Sequence, residues 1–355
     1  MKILHVITSL HTGGAEHLMV DLLPRLSKMG NEVELLVFDG FRTPFYEQLE
    51  EQGIVIHSLS IGGNVYNPLN IFRLVWFIRK YDVIHTHNTA CQLFVPVARC
   101  FSLGGAQLVT TEHNTTNRRR GIGVLRIVDK LMYSFYKRII CISEKTQEHL
   151  EFQIGKKSKI LTINNGIDTA AFFSRNNEIK NKREFTITMV GAFREQKDQD
   201  TLLRAIYELP EQYNLLIVGD GSRRSILFEL ASSLNILSRV KFLGVRSDIP
   251  SILEKSDVVV LSSHWEGFGL AAVEGMAAAR PVIASNVPGL AEVVSGAGVL
   301  FPHGDYMALS KAIRELCESP DKYMIVATRC QERAKQYDIS VMAEKYNELY
   351  KEICR

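Results

Sequence analysis

Short apolar runs at residues 2–8, 33–38, 54–59, 82–86, 107–111, 138–142 and 159–163 alternate with helical patterns such as 15–29, 68–80 and 144–152. This alternation is the βαβ rhythm of a parallel sheet, whose strands are buried on both faces. A polar stretch rich in Asn and Lys, 174–184, breaks the rhythm, and a second series follows with runs at 185–191, 214–218, 239–243, 257–261, 281–284 and 298–301. At 355 residues the chain exceeds what one hydrophobic core usually organises. The expected class is therefore α/β, with two Rossmann-like doubly wound domains facing across a cleft: 1–170, then a linker at 171–184, then 185–337. A final segment, 338–355, carries Met342, Tyr346, Leu349, Tyr350 and Ile353 on one helical stripe, and that stripe needs a packing partner.

Ligands of such sheets sit beyond the C-terminal strand ends, and one of these ends stands out. Glu266 and Glu274 straddle the turn Gly267-Phe268-Gly269-Leu270, between the run 257–261 and a helix expected over 271–279 and stopped by Pro281. Between 270 and 279 Glu274 is the only charged residue, so the helix reads as buried and its carboxylate as needing a partner. Gly267 and Gly269 allow close approach, and the helix start behind them presents free N–H groups and a positive dipole end. A phosphate fits there, with a carboxylate reaching hydroxyls on either side.

Other strand ends carry weaker signals. Thr12-Gly13-Gly14-Ala15-Glu16 follows the first run and opens a helix, either as a phosphate- or sugar-facing loop or as a tight turn. Gly191-Ala192-Phe193-Arg194-Glu195-Gln196-Lys197 occupies the equivalent place in the second series, where Arg194 and Lys197 would neutralise a diphosphate. Asp198 and Asp200 are expected to cap the helix beginning near Thr201 rather than to hold a metal. His85-Thr86-His87 and Glu112-His113 raise the metal question at two further strand ends; no metal is expected, and the histidines are expected to hydrogen-bond a polar ligand.

Six scattered cysteines without C-x-x-C spacing read as reduced thiols of a cytoplasmic protein. The short apolar start 3–7 is too brief for a signal peptide, and no run approaches the ~18 apolar residues of a spanning helix. Net charge is only +3, but between residues 113 and 140 Arg118, Arg119, Arg120, Arg126, Lys130, Lys137 and Arg138 face Asp129 alone. With Leu125, Val128, Leu131, Met132 and Phe135 on a helix-like segment, this stretch suggests peripheral contact with an anionic membrane, on the inner face of the cell membrane, or else a solvated cationic face. Nucleic acid is a poorer partner, since no aromatic-basic recognition pattern accompanies the charge.

The spacing Glu266 to Glu274 resembles the E-x7-E pattern of retaining GT-B glycosyltransferases of family 4 (group 1). Gly13-Gly14-Ala15-Glu16, Thr111-Glu112-His113-Asn114, Ser143-Glu144, Asn165-Gly166-Ile167-Asp168, Gly219-Asp220-Gly221, Pro281-Val282-Ile283-Ala284 and Gly289-Leu290-Ala291-Glu292-Val293-Val294 resemble its recurring segments in order. The resemblance implies a nucleotide-diphosphate sugar donor, a UDP-sugar by preference, on the C-terminal domain, and a glycan or lipid-linked acceptor on the N-terminal one. It further implies metal-independent hexosyl transfer with retained configuration and no cofactor, in cell-surface polysaccharide or glycolipid synthesis. It also implies a C-terminal helix that returns to the N-terminal domain. By resemblance Glu266 holds donor-sugar hydroxyls, Glu274 holds the ribose, and the N–H groups of Phe268, Gly269 and Leu270, in the turn begun by Gly267, meet the diphosphate and sugar. Lys197 matches a phosphate-binding lysine, and Arg194 lies two residues beyond Ala192, where the family usually has Arg. Gly13, Gly14 and Gly219 join the donor site, and Val245 and Arg246 border the nucleobase. His113 corresponds to an acceptor-side histidine that holds the transferring sugar, so Glu266, His113 and Lys197 form the expected catalytic set.

Charge development at the sugar then suggests that Lys197 and the helix start stabilise the leaving diphosphate, which itself takes the acceptor proton. Two alternatives are a sugar-nucleotide epimerase or hydrolase of the same fold, which gives no reason for the Glu-turn-Glu spacing, and a non-catalytic nucleotide-sugar binder.

Overall fold

The structure is a computed structural model describing residues 1–11, 13–102, 104–113, 123–173 and 184–355, with side chains of 123–126 excepted. Thr12, Asn114, Arg118, Arg119, Arg120 and the Arg126 side chain, together with most of the expected linker, lie outside the described residues. The chain divides into two compact units, Met1–Gly166 with Ile339–Arg355, and Ile167–Asp338.

The first unit begins with β1 (Lys2–Ile7), α1 (Gly14–Lys28), β2 (Glu32–Asp39), α2 (Pro44–Glu51), β3 (Val55–Ser60) and α3 (Leu69–Phe77). It continues through β4 (Val83–His87), α4 (Thr89–Phe101), β5 (Gln107–Glu112), α5 (Gly123–Ser134), β6 (Arg138–Cys141), α6 (Glu144–Ile154) and β7 (Ile160–Thr162). The sheet is parallel in the order β3-β2-β1-β4-β5-β6-β7. Period-two alternation sends Ile3 and Ile7 to one face and Leu4 and Val6 to the other. The first face is covered by α1 and α2, and the second by α3, α4, α5 and α6.

The second unit contains α7 (Thr169–Phe172), β8 (Phe185–Val190), α8 (Gln199–Tyr207), β9 (Tyr213–Val218), α9 (Arg224–Ser233), β10 (Val240–Gly244), α10 (Ile249–Glu254) and β11 (Val258–Leu261). It closes with α11 (Leu270–Ala277), β12 (Val282–Ser285), α12 (Leu290–Val294), β13 (Val299–Phe301), α13 (Tyr306–Cys317) and α14 (Pro320–Ala334). Its parallel sheet runs β10-β9-β8-β11-β12-β13. Residue 167 belongs here because Ile167 bridges to Asp338, and Thr169 donates to the Asp338 carboxylate.

The last helix, α15 (Ile339–Ile353), returns to the first unit and gives the C-terminal stripe its partner. Met342, Tyr346, Leu349, Tyr350 and Ile353 join the core beneath α1, on the face that carries Ile3 and Ile7. Asn347 accepts a hydrogen bond of 3.0 Å from Asn31, whose amide also donates to the Leu26 carbonyl.

Candidate functional site

In each sheet the strand order reverses once beside the first strand, between β1 and β4 and between β8 and β11. Loops leaving such a pair diverge to opposite faces and open a crevice at the carboxyl ends. In the second unit these loops are 191–198 and 262–269, so Lys197 and Glu266, 69 positions apart, meet there. The Lys197 ammonium donates to Glu266 Oε1, which also accepts from Ser263 Oγ at 2.8 Å, while Gln196 Nε2 reaches Oε2 at 3.5 Å. Glu266 is buried by this set. Gln196 also donates to the Trp265 carbonyl and accepts from the His264 amide, fastening the two loops to each other. Ser262 donates to the Asp198 carbonyl at 2.7 Å, and Ser285 donates to the Ser263 carbonyl at 2.6 Å.

The turn after Glu266 is shaped by its glycines. Gly269 precedes α11 with φ +92, in the region glycine favours. Gly289 lies against the turn so closely that a Cβ on it would fall 2.4 Å from the Glu266 carbonyl oxygen. Phe268 is buried, edge-on to Tyr337 at 5.2 Å between ring centroids. The amides of Phe268, Gly269 and Leu270 form no hydrogen bond with other described residues. Three unbonded donors at a helix start thus follow directly on the carboxylate that pairs with the Lys197 ammonium.

Glu274 lies in a helix with no exposed residue and is not without a partner, as expected of a carboxylate in a buried helix. It is half-buried, and so are Leu270 and Ala271, which share its face of α11, whereas Ala272, Val273, Gly275, Met276 and Ala277 are buried. The small residues let α11 pack closely on its neighbours, and Gly275 lets its backbone approach Val259 of β11. The helix ends at Ala277, two residues early, because Ala279 adopts φ +54 and Arg280 donates back to the Gly275 carbonyl.

The remaining second-unit candidates divide. Arg194 is exposed, and no described residue pairs with its guanidinium. Arg246 is clamped by Asp248 through two 2.7 Å bonds, and Val245 beside it is exposed. Gly219 is required for packing: a Cβ there would lie 2.1 Å from the Gly191 carbonyl oxygen. Asp198 caps α8 by accepting from the Thr201 amide and hydroxyl, and Asp200 pairs with Arg223 at 2.9 Å.

In the first unit, Gly13 is extended and exposed at the start of α1, followed by Gly14, and Glu16 in the first turn of α1 is hydrogen-bonded by Asn88 at 3.5 Å. At the reversal between β1 and β4 the expected strand-end histidines are joined by one not foreseen, His5, which is paired in register with His85. His113 Nε2 lies 3.0 Å from His87 Nδ1, and His87 Nε2 lies 3.0 Å from His5 Nδ1. Burial holds His5 down at about 3 and His113 at about 4, and pushes His85 and His87 well below their ordinary value, so all four are neutral near pH 7. Ligand atoms of His5, His85 and His87 fall within 4.8 Å of one another. Both nitrogens of each are already hydrogen-bonded, and the rings stack rather than point at a common centre. The sequence signal for His5 was a histidine in the middle of an apolar strand.

Residues 12–171 match the family model described as Glycosyltransferase Family 4, and residues 171–337 match that described as Glycosyl transferases group 1. The chain is 30% identical over 309 residues to an uncharacterized glycosyltransferase, MJ1607, of Methanocaldococcus jannaschii, covering 76% of this chain and 75% of that one. It is 29% identical over 295 residues to the UDP-Gal:alpha-D-GlcNAc-diphosphoundecaprenol alpha-1,3-galactosyltransferase of Escherichia coli, covering 76% and 75%. The fold superposes on the crystal structure of HepE from Anabaena in complex with UDP, with a TM-score of 0.88, 23% identity and coverage of 99% and 100%.

Proposed function

For a chain that belongs to the family 4, group 1 glycosyltransferases and moves a sugar from a nucleotide-diphosphate donor to an acceptor, we propose that the donor is a UDP-sugar held at the β8/β11 reversal and that transfer retains configuration. The observation that carries the proposal is the Lys197–Glu266 pair followed directly by the three unbonded amides of Phe268, Gly269 and Leu270. UDP in the HepE complex, and the UDP-galactose named for the Escherichia coli relative, support the choice of nucleotide.

In this reading the diphosphate sits on the amides and draws Lys197 away from Glu266, whose freed carboxylate then accepts from sugar hydroxyls. Glu274, on the half-buried face of α11, takes the ribose. As the anomeric C–O bond to phosphate breaks, Lys197 and the helix start stabilise the growing negative charge. The acceptor oxygen bonds to the anomeric carbon on the same face, and its proton passes to the departing phosphate oxygen. Glu266 positions, and no protein carboxylate attacks. His113 in the first unit holds the transferring sugar.

The proposed acceptor is a glycan or a lipid-linked glycan at an anionic membrane surface. Ile127, Val128, Leu131 and Phe135 are exposed along α5 and just beyond it, beside Lys130 and Lys137. No helix among the described residues is long and apolar enough to cross a membrane, so any membrane contact made by these helices is peripheral.

Labelled UDP-sugars incubated with the protein and a membrane extract test the reading. Lys197→Ala is expected to lower transfer by roughly a hundredfold or more. An inverted product, or a covalent glycosyl adduct on Glu266→Gln, would overturn the mechanism. Flotation on vesicles that does not depend on anionic lipid would remove the membrane contact.

A further inference from the structure

The histidines of the first unit form one continuous hydrogen-bonded chain that ends in the C-terminal helix. From His113 it passes through His87 to His5, and His5 Nε2 lies 3.4 Å from the Tyr350 hydroxyl. That hydroxyl lies 2.5 Å from His85 Nδ1, His85 Nε2 lies 2.7 Å from Thr111 Oγ1, and Thr111 Oγ1 lies 3.0 Å from the Tyr346 hydroxyl. Strand geometry produces the alignment. His85 and His87 on β4, and Thr111 and His113 at the end of β5, are each two residues apart and share the face that carries His5 on β1. That is the face on which α15 packs.

A neutral imidazole donates from one nitrogen and accepts at the other, and a hydroxyl in a chain does the same. Every proton in the chain must therefore point the same way. If the protons point inward, each histidine donates from Nε2, Thr111 donates to Tyr346, and the Tyr346 O–H is left to donate to nothing. Tyr346 is fully buried and has no other described hydrogen-bond partner. If they point outward, Tyr346 donates to Thr111, Thr111 to His85 Nε2, His85 to Tyr350, Tyr350 to His5 Nε2, His5 to His87 and His87 to His113 Nε2. No group inside the chain is then left unpaired. An unpaired buried hydroxyl makes the inward direction disfavoured by roughly tenfold to a hundredfold.

We propose that Tyr346 and Tyr350 act as positioning residues which, through His85, His5 and His87, hold His113 in the tautomer whose Nδ1 carries the proton. His113 Nδ1 has no bond to another described residue, and the ring is half-buried at the end of β5. His113 is thereby a hydrogen-bond donor to a hydroxyl or ring oxygen, not a base. The link to the sugar rests on the reading of His113 given above, whereas the tautomer does not.

Two-bond proton–nitrogen correlation spectra of the full chain, labelled with nitrogen-15 in histidine, read the tautomers directly. The His113 resonance is assigned by its loss in His113→Gln. All four histidines of the chain are expected as the Nδ1–H form, the minor tautomer of a free imidazole side chain in water. Nε2–H at His113 in the wild type would overturn the proposal without needing any variant. Tyr350→Phe cuts the chain so that either direction leaves one His5 nitrogen unpaired. His5, His87 and His113 are then expected to shift towards Nε2–H, and a His113 that stays wholly Nδ1–H would overturn the role of the tyrosine. Thr111→Val, which breaks the chain two links further in, repeats the test if Tyr350→Phe does not fold. Full transfer activity in His113→Ala would remove His113 from the reaction and leave the tautomer result standing.

Discussion

Gly289→Ala tests whether the close packing behind Glu266 sets the donor turn. Gly289 has φ +86 and ψ −54, a backbone region that costs an L-residue about 1–3 kcal/mol. Its new Cβ would lie 2.4 Å from the Glu266 carbonyl oxygen, 2.9 Å from the carbonyl carbon and 3.2 Å from the Gly267 carbonyl carbon. All three are backbone atoms, so relief requires the turn or the start of α12 to move, at an overpacking cost of about 1–3 kcal/mol. The sum is a loss of about 2–6 kcal/mol. Gly304→Ala is the control, since Gly304 also has positive φ, +76, but a Cβ there meets nothing within 4 Å, and only about 1 kcal/mol is expected. The chain has two tryptophans. In a Trp76→Phe background the fluorescence of Trp265, next to Glu266, therefore reports unfolding of the second unit in urea. Calorimetry with UDP should show affinity at least tenfold weaker for Gly289→Ala and unchanged for Gly304→Ala. Equal urea midpoints for the two variants, with wild-type UDP affinity in both, would refute the claim that Gly289 positions Glu266.

Three further outcomes follow from the geometry. Ala279→Gly removes the cost of an alanine at φ +54 at the end of α11 and should stabilise the second unit by about 1 kcal/mol, read as a higher urea midpoint. In acid the unfolded histidines bind protons that folded His5 and His113 accept only near 3 and 4, and that His85 and His87 accept at well below 6.5. Their contribution is therefore whole above about pH 6.5 and lost as pH falls, by up to about 1.4 kcal/mol per pH unit per histidine; equal midpoints at pH 7 and pH 5 would contradict this. Asn347→Ala leaves the buried Asn31 amide with the Leu26 carbonyl alone and should cost about 1–3 kcal/mol in the first unit, measured by urea unfolding.

Local pattern carried most of the fold into view. Each apolar run of the sequence became a strand, with ends shifted by a residue or so, because a strand buried on both faces by helices has little choice of composition. The stripe at 340–354 announced a helix in need of a core, and Tyr346 and Tyr350 supply it. Contacts between distant loops were less legible. Nothing in the spacing of Lys197 and Glu266 says that they meet; strand order decides it, by setting β8 beside β11. The small apolar residues around Glu274 did signal a buried helix, but not that one face of it, Leu270, Ala271 and Glu274, would be only half-buried. Gly219 likewise looked like a ligand glycine, although contact with the Gly191 carbonyl already explains it.

In the reading proposed above, the two reversal points solve different recognition problems, and this difference explains which of them the sequence advertised. At β8/β11 the site is built from charge and backbone, a Lys197–Glu266 pair and unbonded amides at a helix start, and charge and glycine stand out in any sequence. At β1/β4 the site is built from neutral rings whose burial keeps them uncharged, so net charge conceals it. A phosphate would gain little from such rings, since none offers a positive charge near pH 7. A sugar hydroxyl gains a directed donor or acceptor, provided that the ring presents only one tautomer. A lone strand-end histidine exchanges its proton between nitrogens and presents both. Joining it to three others and two tyrosines removes that freedom, which is a physical reason for a core strand of this unit to carry His5 where an aliphatic residue would pack as well.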